Sequence, residues 1–354
     1  IDSLEGLYGG YWRYDLIDFC FLFNLYFPPK DLYSKLAHEI PFLLNNYPSA
    51  QHKIRSLLST WYTDEGFTKE NILVGNGASE FIRIFNRQFI KKITIPVPSF
   101  NEYEDLDASQ INYLDLNEKD NFILDADRFI ESANKSNSNF AVVINPNNPT
   151  STVTKREDII KILENLKHLE GIIVDESFID FTGERENYSL QSYTSQFSNL
   201  VVLRSLSKEF GVPGLRLGYI VSSNEQIKKK IKRYLPIWNI NSIAERFIEL
   251  FPRYQREYNQ SIKQIIEDNE NFRRDLASIR NIKVIDGKAN YLFCKILNEK
   301  VNSTQLRSIL FSKYSILIKD CSNKTSLNDR HIRISVRKPP ENKMLVDALK
   351  KVLA

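Results

Sequence analysis

Val201-Val202-Leu203-Arg204-Ser205-Leu206-Ser207-Lys208 opens the stretch that decides the fold, and Gly214-Leu215-Arg216-Leu217-Gly218 closes it. Val201 to Leu203 is short, β-branched and continuous, and reads as a buried strand. Hydroxyls and an amine follow it directly. The amine can form a Schiff base with a carbonyl, and hydroxyls and a guanidinium can hold a phosphate. A lysine beside serines is common, so this segment acquires weight only from its surroundings.

Working outward, five more runs read as buried strands: Ile72-Leu73-Val74, Ile93-Thr94-Ile95, Ala141-Val142-Val143-Ile144, Gly171-Ile172-Ile173-Val174 and Tyr219-Ile220-Val221. Helical patterns lie between several of them. Lys155 to Leu169 is the clearest, with Ile159, Ile160, Ile162 and Leu163 near one face. The alternation predicts an α/β domain with a mostly parallel central sheet and helices on both sides.

Polar clusters follow four of these strands, and in open α/β sheets ligands bind at the carboxyl ends of strands. Gly75-Asn76-Gly77-Ala78-Ser79-Glu80 leads into an apolar helix whose N-terminus can offer N–H groups to a phosphate. A plain turn with Ser79 as N-cap explains it equally. Asn145-Pro146-Asn147-Asn148-Pro149-Thr150 holds its amides rigidly between prolines, although an ordinary Asn/Pro turn accounts for it too. Asp175, in Asp175-Glu176-Ser177-Phe178, places a carboxylate at a strand end, where a helix cap or a metal ligand is the alternative.

Taken in order, Asn148, Asp175, Lys208 and Arg216 match what pyridoxal phosphate (PLP) requires. Lys208 would form the Schiff base and later move protons. Asp175 can pair with the ring nitrogen and keep it protonated, which makes the ring an electron sink. Ser205, Ser207 and Arg216 would hold the phosphate.

Beyond about Ile227 the texture changes. A charged helical region runs to about Ser278, broken at Pro236 and Pro252. Strand-like pieces follow at Ile282 to Ile285, Tyr291 to Phe293 and Ile332 to Val336, with a helix near Ser303 to Phe311. We expect a large cofactor-binding domain over 45–245, and a smaller α+β domain from 246–354 together with the aromatic-rich segment 1–44. That segment, weakly patterned, is expected to cover a cleft or pack on a partner subunit.

The net charge of +4 is spread along the chain and argues against nucleic-acid binding. The run Lys228 to Arg233 reads as a solvated helix face. No apolar run approaches a membrane span, and the three cysteines form neither a metal spacing nor a disulfide framework. A cytoplasmic setting with no metal and no membrane is expected. The chain begins at Ile1 and its one methionine is Met344, so it reads as a piece of a longer polypeptide or as a trimmed chain.

The chain resembles fold-type I PLP enzymes of the class I/II aminotransferase superfamily, in particular histidinol-phosphate aminotransferase and threonine-phosphate decarboxylase. The likeness covers nearly all residues. It is strongest at Asn145 to Thr150, at Asp175 to Phe181 (DESFIDF), at Arg204 to Tyr219, at Gly287 to Leu292 (GKANYL) and at Ile316 to Arg337. DESFIDF, GKANYL and ILIKDC are most similar to the decarboxylase. The resemblance implies Lys208 as Schiff-base lysine, Asp175 on the pyridine nitrogen and Asn148 on the ring hydroxyl oxygen. It implies Gly77, Ala78, Ser79, Ser205 and Arg216 around the cofactor phosphate, and Phe100, or else Tyr103, stacked on the ring. It implies Arg333 on the substrate carboxylate and Asn24 in contact with substrate. Tyr47 would reach the neighbouring subunit's cofactor phosphate, which implies a homodimer.

Four positions depart from the pattern. Phe178 stands where many relatives have tyrosine, and Ser151 replaces a glycine. Lys319 stands where the decarboxylase has arginine, keeping the charge but losing the bidentate fork, and Tyr8 where it has histidine. The function expected is a PLP-dependent aminotransferase acting on a small phosphorylated amino acid or amine. The alternative is a decarboxylase of an O-phospho-amino acid.

Overall fold

The computed structural model describes residues 9–61 and 66–354. After strand β1 (Ile17–Asp18), the weak patterning expected up to residue 44 gives way to a helix, α1 (Lys30–Leu44). Leu32, Leu36 and Leu43 fall on its buried stripe, and Pro41 is tolerated in its last turn. Helix α2 (Gln51–Ser59) leads to the central sheet.

The sheet has seven strands: β2 (Ile72–Asn76), β3 (Ile93–Val97), β4 (Ile111–Asp115), β5 (Phe140–Ile144), β6 (Gly171–Asp175), β7 (Leu200–Arg204) and β8 (Leu217–Val221). Their order is β2-β8-β7-β6-β5-β3-β4. β4, β3, β5, β6 and β7 pair in parallel, whereas β8 pairs antiparallel to both neighbours. Helices α3 (Ala78–Gln88), α4 (Ala126–Ser136), α5 (Arg156–Asn165), the short α6 (Arg185–Tyr188) and α7 (Leu206–Glu209) intervene.

Alternate residues of the inner strands face opposite layers. Ile173, Val142 and Val201 pack with Phe81 and Phe85 of α3, while Ile172, Val174, Val143 and Val202 pack with Phe129 of α4 and Ile159 of α5. β4 escaped the sequence reading because it is an edge strand with little burial.

The charged region after β8 divides into α8 (Glu225–Lys232), α9 (Ser242–Leu250) and the long α10 (Gln255–Ala277). Its basic run is not wholly solvated. Lys228 is fully buried, with Nζ donating to the Glu70 carbonyl at 2.7 Å and pairing with Glu225 at 2.6 Å.

A second, antiparallel sheet follows, in the order β12-β13-β10-β9, from β9 (Ile282–Ile285), β10 (Tyr291–Ile296), β12 (Lys319–Asp320) and β13 (His331–Ser335). Helix α11 (Ser303–Tyr314), strand β11 (Ile316–Leu317) and helix α12 (Pro339–Val352) complete this part, and β1 pairs in parallel with β11. Gly287 meets Ser151 so closely that a Cβ there would collide with its backbone. Ser151, where glycine was the expected residue, holds a left-handed φ of 59°.

Candidate active site

The parallel strands β2, β5, β6 and β7 end at one edge of the sheet. Strand β8 runs the other way, so Arg216, just before it, stands at that same edge. The four polar clusters therefore converge.

Gly77 has a φ of 80°, and a Cβ there would strike the Arg216 guanidinium. Gly77, not Ser79, occupies the N-cap position of α3. That leaves the first amides of the helix, at Ala78 and Ser79, without intrahelical partners. Arg216 Nη2 donates to Ser79 Oγ at 3.1 Å, and Arg216 itself has a left-handed φ of 55°, a strained conformation of a kind that costs about 1–3 kcal/mol. Ser205 is buried nearby in sequence at the start of α7. This cradle of helix amides, hydroxyls and a guanidinium fits a phosphate. Ser207 does not join it. Its hydroxyl accepts from the Leu217 amide at 2.9 Å and donates to the Leu217 carbonyl at 3.2 Å, tying α7 to β8.

The Lys208 amine lies 4.3 Å from the centroid of the Phe178 ring and 5.5 Å from that of Phe100, and no side chain among the described residues hydrogen-bonds it. Burial pushes its pKa below the ordinary lysine value. The Asp175 charge opposes that shift and the Arg333 charge adds to it. A larger share of the amine is thus uncharged and nucleophilic near neutral pH.

Asp175 ends β6 and is almost wholly buried. Its Oδ1 accepts from the Ser177 amide at 3.0 Å and its Oδ2 from the Tyr103 hydroxyl at 2.9 Å. Tyr103 therefore sits against the carboxylate, and of the two stacking candidates it is Phe100 whose ring lies near Lys208. Burial, and then the Asp175 charge, hold the Tyr103 pKa well above the phenol range, so it remains a donor.

Asn148 Oδ1 accepts from Arg333 Nη1 at 2.7 Å, and Arg333 Nη2 donates to the Cys20 carbonyl at 2.5 Å. Arg333 stands directly opposite Lys319 in the β12–β13 ladder. Asn24 is placed otherwise than expected. Its amide donates to the Glu209 carbonyl at 3.0 Å and to Ser261 Oγ at 2.7 Å, and its Oδ1 accepts from the Tyr26 amide. Its backbone N–H donates to the Lys208 carbonyl at 2.9 Å, so it fastens the N-terminal segment over α7. Tyr47 is exposed and stacks on Trp238 at 4.3 Å. Tyr8 lies outside the described residues.

Sequence reasoning missed the support beneath Lys208. Arg204, fully buried at the end of β7, donates to Asp180 at 2.8 Å and Glu209 at 2.6 Å. Burial pushes the Glu209 carboxyl up to about 8 against the pull of Arg204. Lys324 was missed as well. Its Nζ is buried against the Ser99 carbonyl and Asn101 Oδ1.

The family model for class I and II aminotransferases matches residues 15–349. The chain belongs to that family. It is a PLP-dependent enzyme of fold type I, and the phosphate cradle, the buried lysine and the strand-end carboxylate fit that cofactor. It is 32% identical over 352 residues to a CMP-5'-(3-aminopropyl)phosphonate synthase of Streptomyces rubellomurinus, covering 99% of this chain and 55% of the synthase. This family member thus spans about half of that relative's length. It is also 32% identical to an L-serine phosphate decarboxylase of Sulfurospirillum multivorans, covering 95% of this chain and 88% of the relative. The solved histidinol-phosphate aminotransferase of Clostridium acetobutylicum superposes with a TM-score of 0.85 at 29% identity, covering 95% of this chain and 99% of the other. Among the described residues no helix is long and apolar enough to cross a membrane.

Proposed function

We propose that this chain decarboxylates a small O-phospho-amino acid. The observation that carries the substrate class is the pair Lys319 and Arg333. They face each other on one side of an antiparallel ladder, where like charges repel unless an anion lies against them. Lys319 is half-buried, with no ion-paired partner among the described residues. A substrate bearing both a carboxylate and a phosphate would answer both cations.

Decarboxylation is supported by the serine-phosphate decarboxylase relative. The synthase, by its name, makes an aminopropyl phosphonate, and a primary amine is what loss of an α-carboxylate leaves. Transamination is the second reading, favoured by the likeness to the histidinol-phosphate aminotransferase.

Bound PLP supplies a carbonyl for the substrate amine and a protonated ring that takes up the electrons of the broken bond. In this reading Lys208 holds the cofactor and then delivers a proton to the substrate α-carbon. Asp175 keeps the ring nitrogen protonated, and Asn148 donates to the ring oxygen through its free Nδ2. The amides of Ala78 and Ser79, with Ser205 and Arg216, grip the phosphate. Phe100 covers the ring. Phe178 packs beside Lys208 without the hydroxyl that tyrosine would bring there.

Given O-phospho-L-serine or O-phospho-L-threonine, the PLP-loaded protein is expected to release carbon dioxide and the matching primary amine one for one. L-glutamate should leave its visible band unchanged. A pyridoxamine phosphate band growing with glutamate, and no carbon dioxide, would replace this reading with transamination.

Tyr47 and Trp238 stack in the open, with Phe42, Leu44 and Ile237 also exposed. In our reading a second copy covers them and Tyr47 reaches its cofactor phosphate. Sedimentation at micromolar concentration should report a dimer. A monomer under those conditions would remove Tyr47 from the site.

A further inference from the structure

Lys324 lies in the turn between β12 and β13, the two strands that carry Lys319 and Arg333. Its side chain crosses to the central-sheet side of the site. There Nζ donates to the Ser99 carbonyl at 2.8 Å and to Asn101 Oδ1 at 2.6 Å. These residues flank Phe100 on both sides, so one ammonium brackets the residue whose ring faces Lys208. The neighbouring Thr325 donates to Glu104 Oε2 at 2.6 Å, docking the same turn a second time. The turn is braced internally: the Lys324 amide donates to the Cys321 carbonyl at 3.0 Å, and the Leu327 amide to the Lys324 carbonyl at 3.0 Å.

A buried ammonium is an expensive way to fasten two loops. Among the described residues no carboxylate hydrogen-bonds Lys324, and a buried cation without a paired anion is unfavourable. Burial pushes its pKa down to about 8; the Arg333 and Lys319 charges add to this, while Cys321 and Glu104 oppose it. An apolar side chain would fill the same volume without that penalty. What it could not do is hold the chain on both sides of Phe100.

We propose that Lys324 is a positioning residue that sets the Phe100 ring against the cofactor and couples it to the strands bearing Lys319 and Arg333. Substrate anions drawn to those strands would then act on the ring-facing aromatic through one rigid turn. This rests on the PLP reading above.

The test is Lys324→Met in the full chain, assayed for PLP affinity by absorbance titration, for induced circular dichroism of the bound cofactor, and for kcat and KM with O-phospho-L-serine. PLP affinity is expected to fall about tenfold and the induced dichroism to lose amplitude. kcat should fall more than KM rises, and the far-ultraviolet spectrum of the apo-protein should match the wild type. Wild-type PLP affinity and dichroism in the variant would overturn the proposal. Should Lys324→Met fail to fold, Asn101→Ala removes one side of the bracket at an exposed position. It should weaken PLP about threefold, and no change there would also overturn the proposal. A wild-type protein that bound no PLP would instead overturn the cofactor reading, a distinct result.

Discussion

Replacing Lys208 with alanine is expected to lower turnover on the order of 10⁴-fold or more and to abolish the lysine-dependent visible band of the PLP-loaded protein. Among the described residues the amine has no hydrogen-bonded partner to forfeit, and the rings of Phe178 and Phe100 lie beside it. α7 stays in place because Asn24, Ser207 and Glu209 fasten it through other atoms. The variant should therefore fold, and it should still take up PLP through the phosphate cradle. Retention of the visible band would show that another amine holds the cofactor. The wild type offers a companion observable. Because burial lowers the Lys208 pKa, its neutral form gains ground at lower pH than that of an ordinary lysine. The rate at which apo-protein and PLP develop the band should rise with pH along a curve whose midpoint lies below the ordinary lysine value of about 10.4.

The central sheet was legible because its inner strands are buried on both faces, which demands short β-branched runs such as Ile172 to Val174 and Val201 to Leu203. The candidate site was legible because Asp175 ends β6, and Ser205 and Lys208 follow directly on β7, where packing alone does not call for them. What escaped depends on contacts far apart in the chain. Asn24 meets Glu209 across 185 positions and Lys324 meets Ser99 across 225, and no local pattern announces such pairs. Ser205 and Ser207 look alike in sequence, yet Ser207 serves Leu217, because the turn of α7 decides which way each hydroxyl points. Helix α1 was hidden by prolines at 28, 29 and 41, although its leucines do form a stripe.

Asp175→Asn tests the other half of the chemistry, and should lower kcat on the order of 10²–10³-fold. The exchange is nearly isosteric. Its carbonyl oxygen can still accept from the Ser177 amide, and its new amide can donate to the Tyr103 oxygen, so the local fold should persist. What disappears is the negative charge. In the proposed reading the ring nitrogen would then lose the partner that keeps it protonated, and the electrons of the breaking bond would have a poorer destination. Lys208 would feel the loss too, because Asp175 is the group that most opposes the fall in its pKa. The variant should therefore develop the visible band at lower pH than the wild type while turning over far more slowly. A shared cause would link the two changes, one spectroscopic and one kinetic. A variant with near-normal kcat would mean that the carboxylate held by Tyr103 is structural and that the ring nitrogen finds its partner elsewhere.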